Sequence, residues 1–240
     1  MSENRSAANE HAGRVREMFS TIATRYDLLN HLLSGNTDKR WRRIVASRVR
    51  DKLASDTSDA RHILDVACGT GDLALTLFET TGVAVIGTDF CRPMLQIAAG
   101  KVSRRIELIE GDALSLPFLD QSFEGATIAF GLRNLASVEG GLDELFRVLK
   151  PKGWLAVLEF SRPSNPLFRA LCGLYFKKVL PLLGGVISGS RSAYTYLPDS
   201  VQRFPDQLEL SLLMERAGFG EVTYENLTGG IAALHMARRP

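Results

Sequence analysis

From residue 62 onward, short runs of apolar and β-branched residues alternate with stretches in which apolar residues recur every three or four positions. The short runs are His62–Val66, Val83–Thr88, Ile106–Glu110, Ala126–Phe130 and Leu155–Phe160. Helical spacing falls between them, near 71–79, 92–102 and 138–149. Strands alternating with helices read as βαβ units, which build a parallel sheet with helices on both faces. The last forty residues add a helix near 206–217, with Gly218 as its C-cap signal, and strands near 220–226 and 231–237. The pattern predicts an α/β fold: a doubly wound, Rossmann-like, seven-stranded and mostly parallel sheet.

Two regions depart from this rhythm. Residues 1–13 are polar and read as a disordered lead. Helices are then expected at about 14–24, 25–34 and 37–54. The third carries Trp41, Ile44, Val45, Val49 and Leu53 at helical spacing, with Lys39, Arg40, Arg42, Arg43, Arg48 and Arg50 on its other face. The polar run Ser55 to Ala60 reads as a linker. Residues 161–203 are long, apolar and rich in Pro, Gly and Tyr, more than a plain crossover requires. The expected organisation is one domain over 1–240. Within it, 14–58 form a helical cap, 60–160 the cofactor-binding core, 161–203 a substrate or lid insert, and 204–240 the closing helix and strands.

Composition narrows the class. A chain of 240 residues, 45% hydrophobic, supports one sizeable core. A net charge of +2 gives no case for a nucleic-acid binder. The three cysteines, Cys68, Cys91 and Cys172, form no CxxC pair, so neither a zinc site nor a disulfide framework is expected. Reduced thiols and the absence of an apolar leader in the first twenty residues point to the cytoplasm. The nearest approach to a membrane span, Leu167 to Ile187, is interrupted by Lys177, Lys178 and Pro181.

The chemistry concentrates at three strand ends. In Ile63-Leu64-Asp65-Val66-Ala67-Cys68-Gly69-Thr70-Gly71-Asp72 an apolar strand enters a small-residue turn ahead of a helix. Gly69 and Gly71 let the backbone turn sharply and leave room for a ligand. A dinucleotide-binding turn would cradle a diphosphate there, but Asp65 and Asp72 flank this loop and would repel one. They suit a cationic ligand such as the amino group or sulfonium of S-adenosylmethionine. Asp89 ends the next strand about twenty residues on, where a carboxylate accepts ribose hydroxyls. Glu110-Gly111-Asp112-Ala113-Leu114 ends the third; Asp112 would accept the adenine amino group and the Ala113 amide would face a ring nitrogen. Leu114 and Phe118 would pack against the base.

These strand ends, in this order, resemble the class I S-adenosylmethionine methyltransferases, as does the turn Leu149-Lys150-Pro151-Lys152-Gly153. Ala67 stands where glycine is commoner in that class. A narrower set looks like the C-methyltransferases of menaquinone and ubiquinone biosynthesis and runs nearly end to end. It comprises Arg25-Tyr26-Asp27-Leu28-Leu29-Asn30, Phe130-Gly131-Leu132-Arg133-Asn134, Leu158-Glu159-Phe160-Ser161, Tyr194-Thr195-Tyr196-Leu197-Pro198 and Asn226 to His235. Asn30-His31 and the short chain are more similar to the menaquinone branch. Ala129 departs from relatives that have serine there.

The resemblance implies a prenylated quinol substrate, methylated on a ring carbon by S-adenosylmethionine without a metal. It places cofactor contacts at Asp65, Gly69, Thr70, Gly71, Asp89, Asp112 and Ala113. Arg133 and Asn134, just after the fourth strand, would stabilise the phenolate and hold a ring oxygen. Tyr26 and Asp27 would close the pocket and assist proton removal. His235 reads equally as a base or as a structural residue, and Glu159 as a substrate contact or a helix cap. Tyr194 and Tyr196 read first as core or lid packing. The insert suggests transient contact with the inner face of the cytoplasmic membrane through Leu174, Phe176 and neighbouring residues, with lid motion at Gly184, Gly185 and Gly189. Packing on the sheet or a homodimer interface is the alternative for that stretch. Three other readings stand beside this one: a methyltransferase for another small molecule, a nucleotide-binding dehydrogenase, and a non-catalytic module that keeps the cofactor fold.

Overall fold

The computed structural model describes residues 2–53, 62–102, 106–163, 165–174 and 191–240. The helices are α1 (Ser2–Ile22), α2 (Tyr26–Leu33), α3 (Thr37–Leu53), α4 (Asp72–Thr81), α5 (Arg92–Lys101), α6 (Val138–Val148), α7 (Pro166–Leu174), α8 (Arg191–Arg203) and α9 (Gln207–Arg216). The strands are β1 (His62–Val66), β2 (Ala84–Asp89), β3 (Ile106–Glu110), β4 (Phe123–Ala129), β5 (Leu149–Phe160), β6 (Gly220–Leu227) and β7 (Ala232–Arg238). They form a seven-stranded sheet in the order β3-β2-β1-β4-β5-β7-β6. Strands β1 to β5 pair in parallel, and β7 runs antiparallel between β5 and β6.

The central strands are apolar on both sides because helices cover both faces. On one face Leu64, Val66, Ile128, Leu155 and Val157 pack with Leu142 and Leu145 of α6 and Leu210 and Met214 of α9. On the other, Ile63, Val85, Ala156 and Leu158 pack with Val45 and Val49 of α3 and Leu77 of α4. Burying a side chain such as Leu77 contributes about 1.5–3 kcal/mol, so these two layers dominate the stability.

Three expectations change. Residues 2–22 form one helix, where a disordered lead was expected to reach residue 13. Its sequence is rich in helix formers, Glu10 and Arg14 pair across one turn at 3.7 Å, and Val15 and Ile22 are buried. Helix α3 is part of the sheet's helical layer rather than of a separate cap. Its basic face is also not uniformly solvated: Arg42 is buried against Asp38, and Arg48 forms a bidentate pair with Glu225 at 3.0 Å. The expected linker Ser55 to Ala60 lies outside the described residues. So do Phe176, Lys177, Lys178, Gly184, Gly185 and Gly189 of the insert, while the side chains of Leu174 and Tyr194 are not described. No described helix is long and apolar enough to cross a membrane.

Candidate active site

Strand order reverses between β1 and β4, and ligands of open α/β sheets bind outside the C-terminal strand ends at such a point. A cavity of about 110 Å³ lies there, open to solvent on one side. Ala67 and Gly69 follow β1 in its wall, Asp89 and Phe90 come from the end of β2, Gly111 to Leu114 follow β3, and Ala129 to Gly131 end β4. Asn134, Leu135 and Ala136 close one side, and Ala12, Phe19 and Tyr26 of the first two helices cover it.

The β1–α4 loop is built on left-handed residues: Ala67 at φ +52°, Gly69 at +55° and Gly71 at +82°. The position of Ala67 therefore asks for more than a small side chain; its backbone lies where glycine is favoured. A Cβ on Gly69 would meet nothing within 4 Å, so this residue opens onto the cavity. A Cβ on Gly71 would lie 3.1 and 3.2 Å from Val102 and Ala98. Gly71 thus serves the packing of α5 rather than the cavity wall.

Asp89 is only 7% exposed. Its two oxygens accept the Gly69 and Cys91 amides, each at 2.8 Å. Burial raises its pKa against the pull of these N–H groups. Each oxygen keeps a second lone pair for a ligand hydroxyl. Asp112, also in the wall, accepts the Leu114 amide at 2.9 Å and stands beside buried Ala113. Phe90, Met94 and Leu114 add apolar wall, whereas Phe118 stacks edge-on against Phe123 in the core.

Two expected cofactor residues stand behind this surface. Asp65 is buried; its Oδ1 accepts the Thr127 hydroxyl at 2.7 Å and its Oδ2 has no partner. Burial pushes its pKa up to about 7. Thr70 donates its hydroxyl to Asp27 at 2.5 Å.

On the expected substrate side, Tyr26 reaches the cavity. Burial raises its pKa despite a hydrogen bond with Asn30, so it is a neutral phenol and a donor. Asp27 turns the other way, onto Thr70 and Lys101, and Lys101 also holds Asp72 at 2.8 Å. Arg133 also lies behind the wall: its guanidinium donates to the Phe130 carbonyl and to Glu159, both at 2.6 Å. Glu159 accepts the Arg133 and Phe160 amides as well, and burial raises its pKa. It thus caps the short helix Leu132–Asn134 and is not among the residues that line the cavity. Asn134 does line the cavity; it donates to the Phe130 carbonyl at 3.1 Å and accepts the Tyr196 hydroxyl at 3.1 Å. His235 is buried, with Nε2 donating to the Gln207 carbonyl at 2.8 Å and Nδ1 without a partner. Burial lowers its pKa, so it remains a neutral structural residue.

The strand ends thus bring together Gly69, Asp89, Asp112, Ala113, Asn134 and Tyr26, and leave Asp65, Thr70, Gly71, Asp27 and Arg133 outside the wall. Sequence reasoning missed Phe19, Phe90, Met94 and the role of Lys101. Phe90 and Met94 had a signal, since one follows Asp89 directly and the other lies one helical turn further on. Among the described residues, no three His, Cys, Asp or Glu side chains are grouped to hold a metal ion.

The model of the ubiE/COQ5 methyltransferase family matches residues 6–239. A demethylmenaquinone methyltransferase of Thermus thermophilus is 50% identical over 227 residues, which cover 93% of this chain and 100% of that protein. A ubiquinone/menaquinone biosynthesis C-methyltransferase of Geotalea uraniireducens is 42% identical over 96% of this chain and 98% of its own length. Among solved structures, a SAM-dependent methyltransferase of Thermotoga maritima superposes with a TM-score of 0.63 at 20% identity, covering 93% of this chain and 99% of that one. That likeness concerns the fold alone.

Proposed function

Since the chain belongs to the ubiE/COQ5 methyltransferase family, we propose that it methylates a ring carbon of a prenylated quinol, converting demethylmenaquinol to menaquinol. The benzoquinol of the ubiquinone branch is the second reading, because relatives at similar identity carry both pathway names. The observation that carries the proposal is the cavity at the strand-order reversal, lined by a buried carboxylate, a phenol and an amide.

When bound, S-adenosylmethionine supplies a methyl group already activated on a positively charged sulfur. The residues present fit it. Asp89 offers its remaining lone pairs to the ribose, the bare Cα of Gly69 leaves space beside it, and Asp112 with Ala113 borders the adenine. The unpartnered Oδ2 of Asp65, two residues before the cavity wall, is an acceptor in keeping with a cationic group nearby. Tyr26 and Asn134 form the polar edge against the ring oxygens, on a wall otherwise made by Phe19, Ala129, Phe130 and Leu135. Arg133 adds positive potential from beneath that wall, offset by Glu159. Tyr26 and Asn134 would hold the ring oxygens while the ring carbon takes the methyl group, and the displaced ring proton would leave to solvent.

Substrate with a polyprenyl tail has to be drawn from a bilayer, and the proposal includes reversible contact of residues 161–203 with anionic lipid. The exposed Leu167, 73% accessible, and the apolar sequence that follows it support this part. The test supplies purified protein with S-adenosylmethionine and demethylmenaquinol in anionic vesicles, with mass spectrometry of the quinones. Menaquinol is expected; cofactor binding without methylation of either quinol class would overturn the assignment. Protein left wholly in the supernatant with vesicles in excess would overturn the membrane part. Asp89→Ala is expected to weaken cofactor binding about tenfold or more by calorimetry, since a buried charge-assisted contact is lost. Unchanged affinity removes Asp89 from the ribose role.

A further inference from the structure

We infer that Tyr196, on helix α8, is a positioning residue of the reaction: its hydroxyl fixes the orientation of the Asn134 amide in the cavity wall. This rests on the methyl-transfer reading above and extends it to a residue of the insert.

The argument begins with the two ends of an asparagine amide, which have nearly the same shape but opposite hydrogen-bonding character. The Phe130 carbonyl can only accept, so the end of Asn134 that faces it at 3.1 Å must be the NH₂ group. The oxygen is then turned to Tyr196, 3.1 Å away, and the phenol must donate. Burial raises the Tyr196 pKa, which keeps that proton in place at neutral pH. The Phe130 carbonyl also takes the Arg133 guanidinium at 2.6 Å. Asn134 and Arg133 are therefore held at one acceptor, and Tyr196 closes the arrangement from the opposite side.

The location gives this contact its consequence. Asn134 ends the short turn Leu132–Asn134 after β4, and α8 packs against that turn and against α1. The hydrogen bonds of Asp89 and Asp112 come from the backbone amides of Gly69, Cys91 and Leu114, not from Tyr196. The Tyr196 hydroxyl thus acts on Asn134 and not on Asp89 or Asp112, so its removal should spare cofactor affinity.

Tyr196→Phe removes the hydroxyl and keeps the ring. Cofactor affinity by calorimetry is expected to stay within about twofold, while kcat on the prenylated quinol falls about tenfold with a smaller change in KM. In the double variant with Asn134→Ala, turnover is expected to match Asn134→Ala alone, because the two act as one unit. The side-chain amide signals of Asn134, followed by ¹⁵N NMR, are expected to shift in Tyr196→Phe without any substrate present. Unchanged amide signals, wild-type kcat in Tyr196→Phe or additive effects in the double variant would each overturn the inference. Wild-type protein that methylates no prenylated quinol overturns the functional reading and this role with it; that failure is recognised because it is seen before any substitution.

Discussion

Asp65 carries the sharpest conflict between a residue and its surroundings. It is buried, one oxygen lacks a partner, and burial pushes its pKa up to about 7. An aspartate in the unfolded chain titrates near ~3.9. Between these values the folded state holds a proton that the unfolded state has released, so stability falls as pH rises from about 4 to about 7. Asp65→Asn is expected to flatten this slope in urea midpoints measured across that window; an unchanged slope would assign it to another group. Saturating S-adenosylmethionine should flatten it in the wild type too if Asp65 faces the cofactor's ammonium. Asp89, Asp112 and Ala113 were legible because a strand end places its last residues at the crevice. Asp27 was not, because neighbouring helical residues point about 100° apart, so Tyr26 faces the cavity while Asp27 faces Lys101. Arg133 was legible in place but not in partner, since Glu159 reaches it from a strand twenty-six residues away. A close steric fit was hidden as well: a Cβ on Gly131 would lie 2.6 Å from that of Ala67, so the alanine in one loop dictates glycine in another.

Among the elements, the alternation of strands and helices was readable to within a few residues because each strand is apolar on both sides and each helix on one. The exceptions have physical causes. Strand β4 begins at Phe123, three residues before the apolar run, because Glu124 is held by Lys150 and by the His62 amide at 2.8 Å. Strand β5 begins at Leu149, since its first residues pair with β4 ahead of the Lys150–Gly153 turn. In that turn the exposed Lys152 sits at φ +69°, while a Cβ on Gly153 would stand 2.9 Å from the Lys150 carbonyl. Gly153 is thus fixed by space and Lys152 is strained by its backbone. Lys152→Gly is expected to raise stability by about 0.5–1 kcal/mol, because relief of the left-handed strain exceeds the added freedom of the unfolded chain. Thermal unfolding should show a gain of about 1–4 °C, and a lower midpoint would mean that the lysine side chain contributes more than its strain costs.

Across the whole molecule, an ionic clasp ties the first helices to the cofactor loop. Asp27 at the start of α2 holds Thr70 in the β1–α4 loop and Lys101 at the end of α5. Lys101 bridges to Asp72 at the start of α4, and Arg42 and His31 stand 3.9 Å from that same carboxylate. These side chains are half-buried, so the clasp is stronger than a surface pair yet open to salt. Asp27→Asn is expected to speed cofactor dissociation about fivefold in a stopped-flow chase while leaving the ribose contact proposed for Asp89 intact. An unchanged off-rate would show that the clasp does not hold the cover closed. The cover itself, with Ala12, Phe19 and Tyr26 over the cavity, has a consequence for the protein's lifetime in a cell. A ligand beneath it favours the closed arrangement by mass action, in proportion to the ligand's concentration over its dissociation constant. Proteases cut at segments that open, so cleavage near the N-terminus should slow as the methyl donor accumulates and quicken as it runs short. The amount of enzyme would then follow the supply of its own donor, with no regulator beyond the helices that close the site.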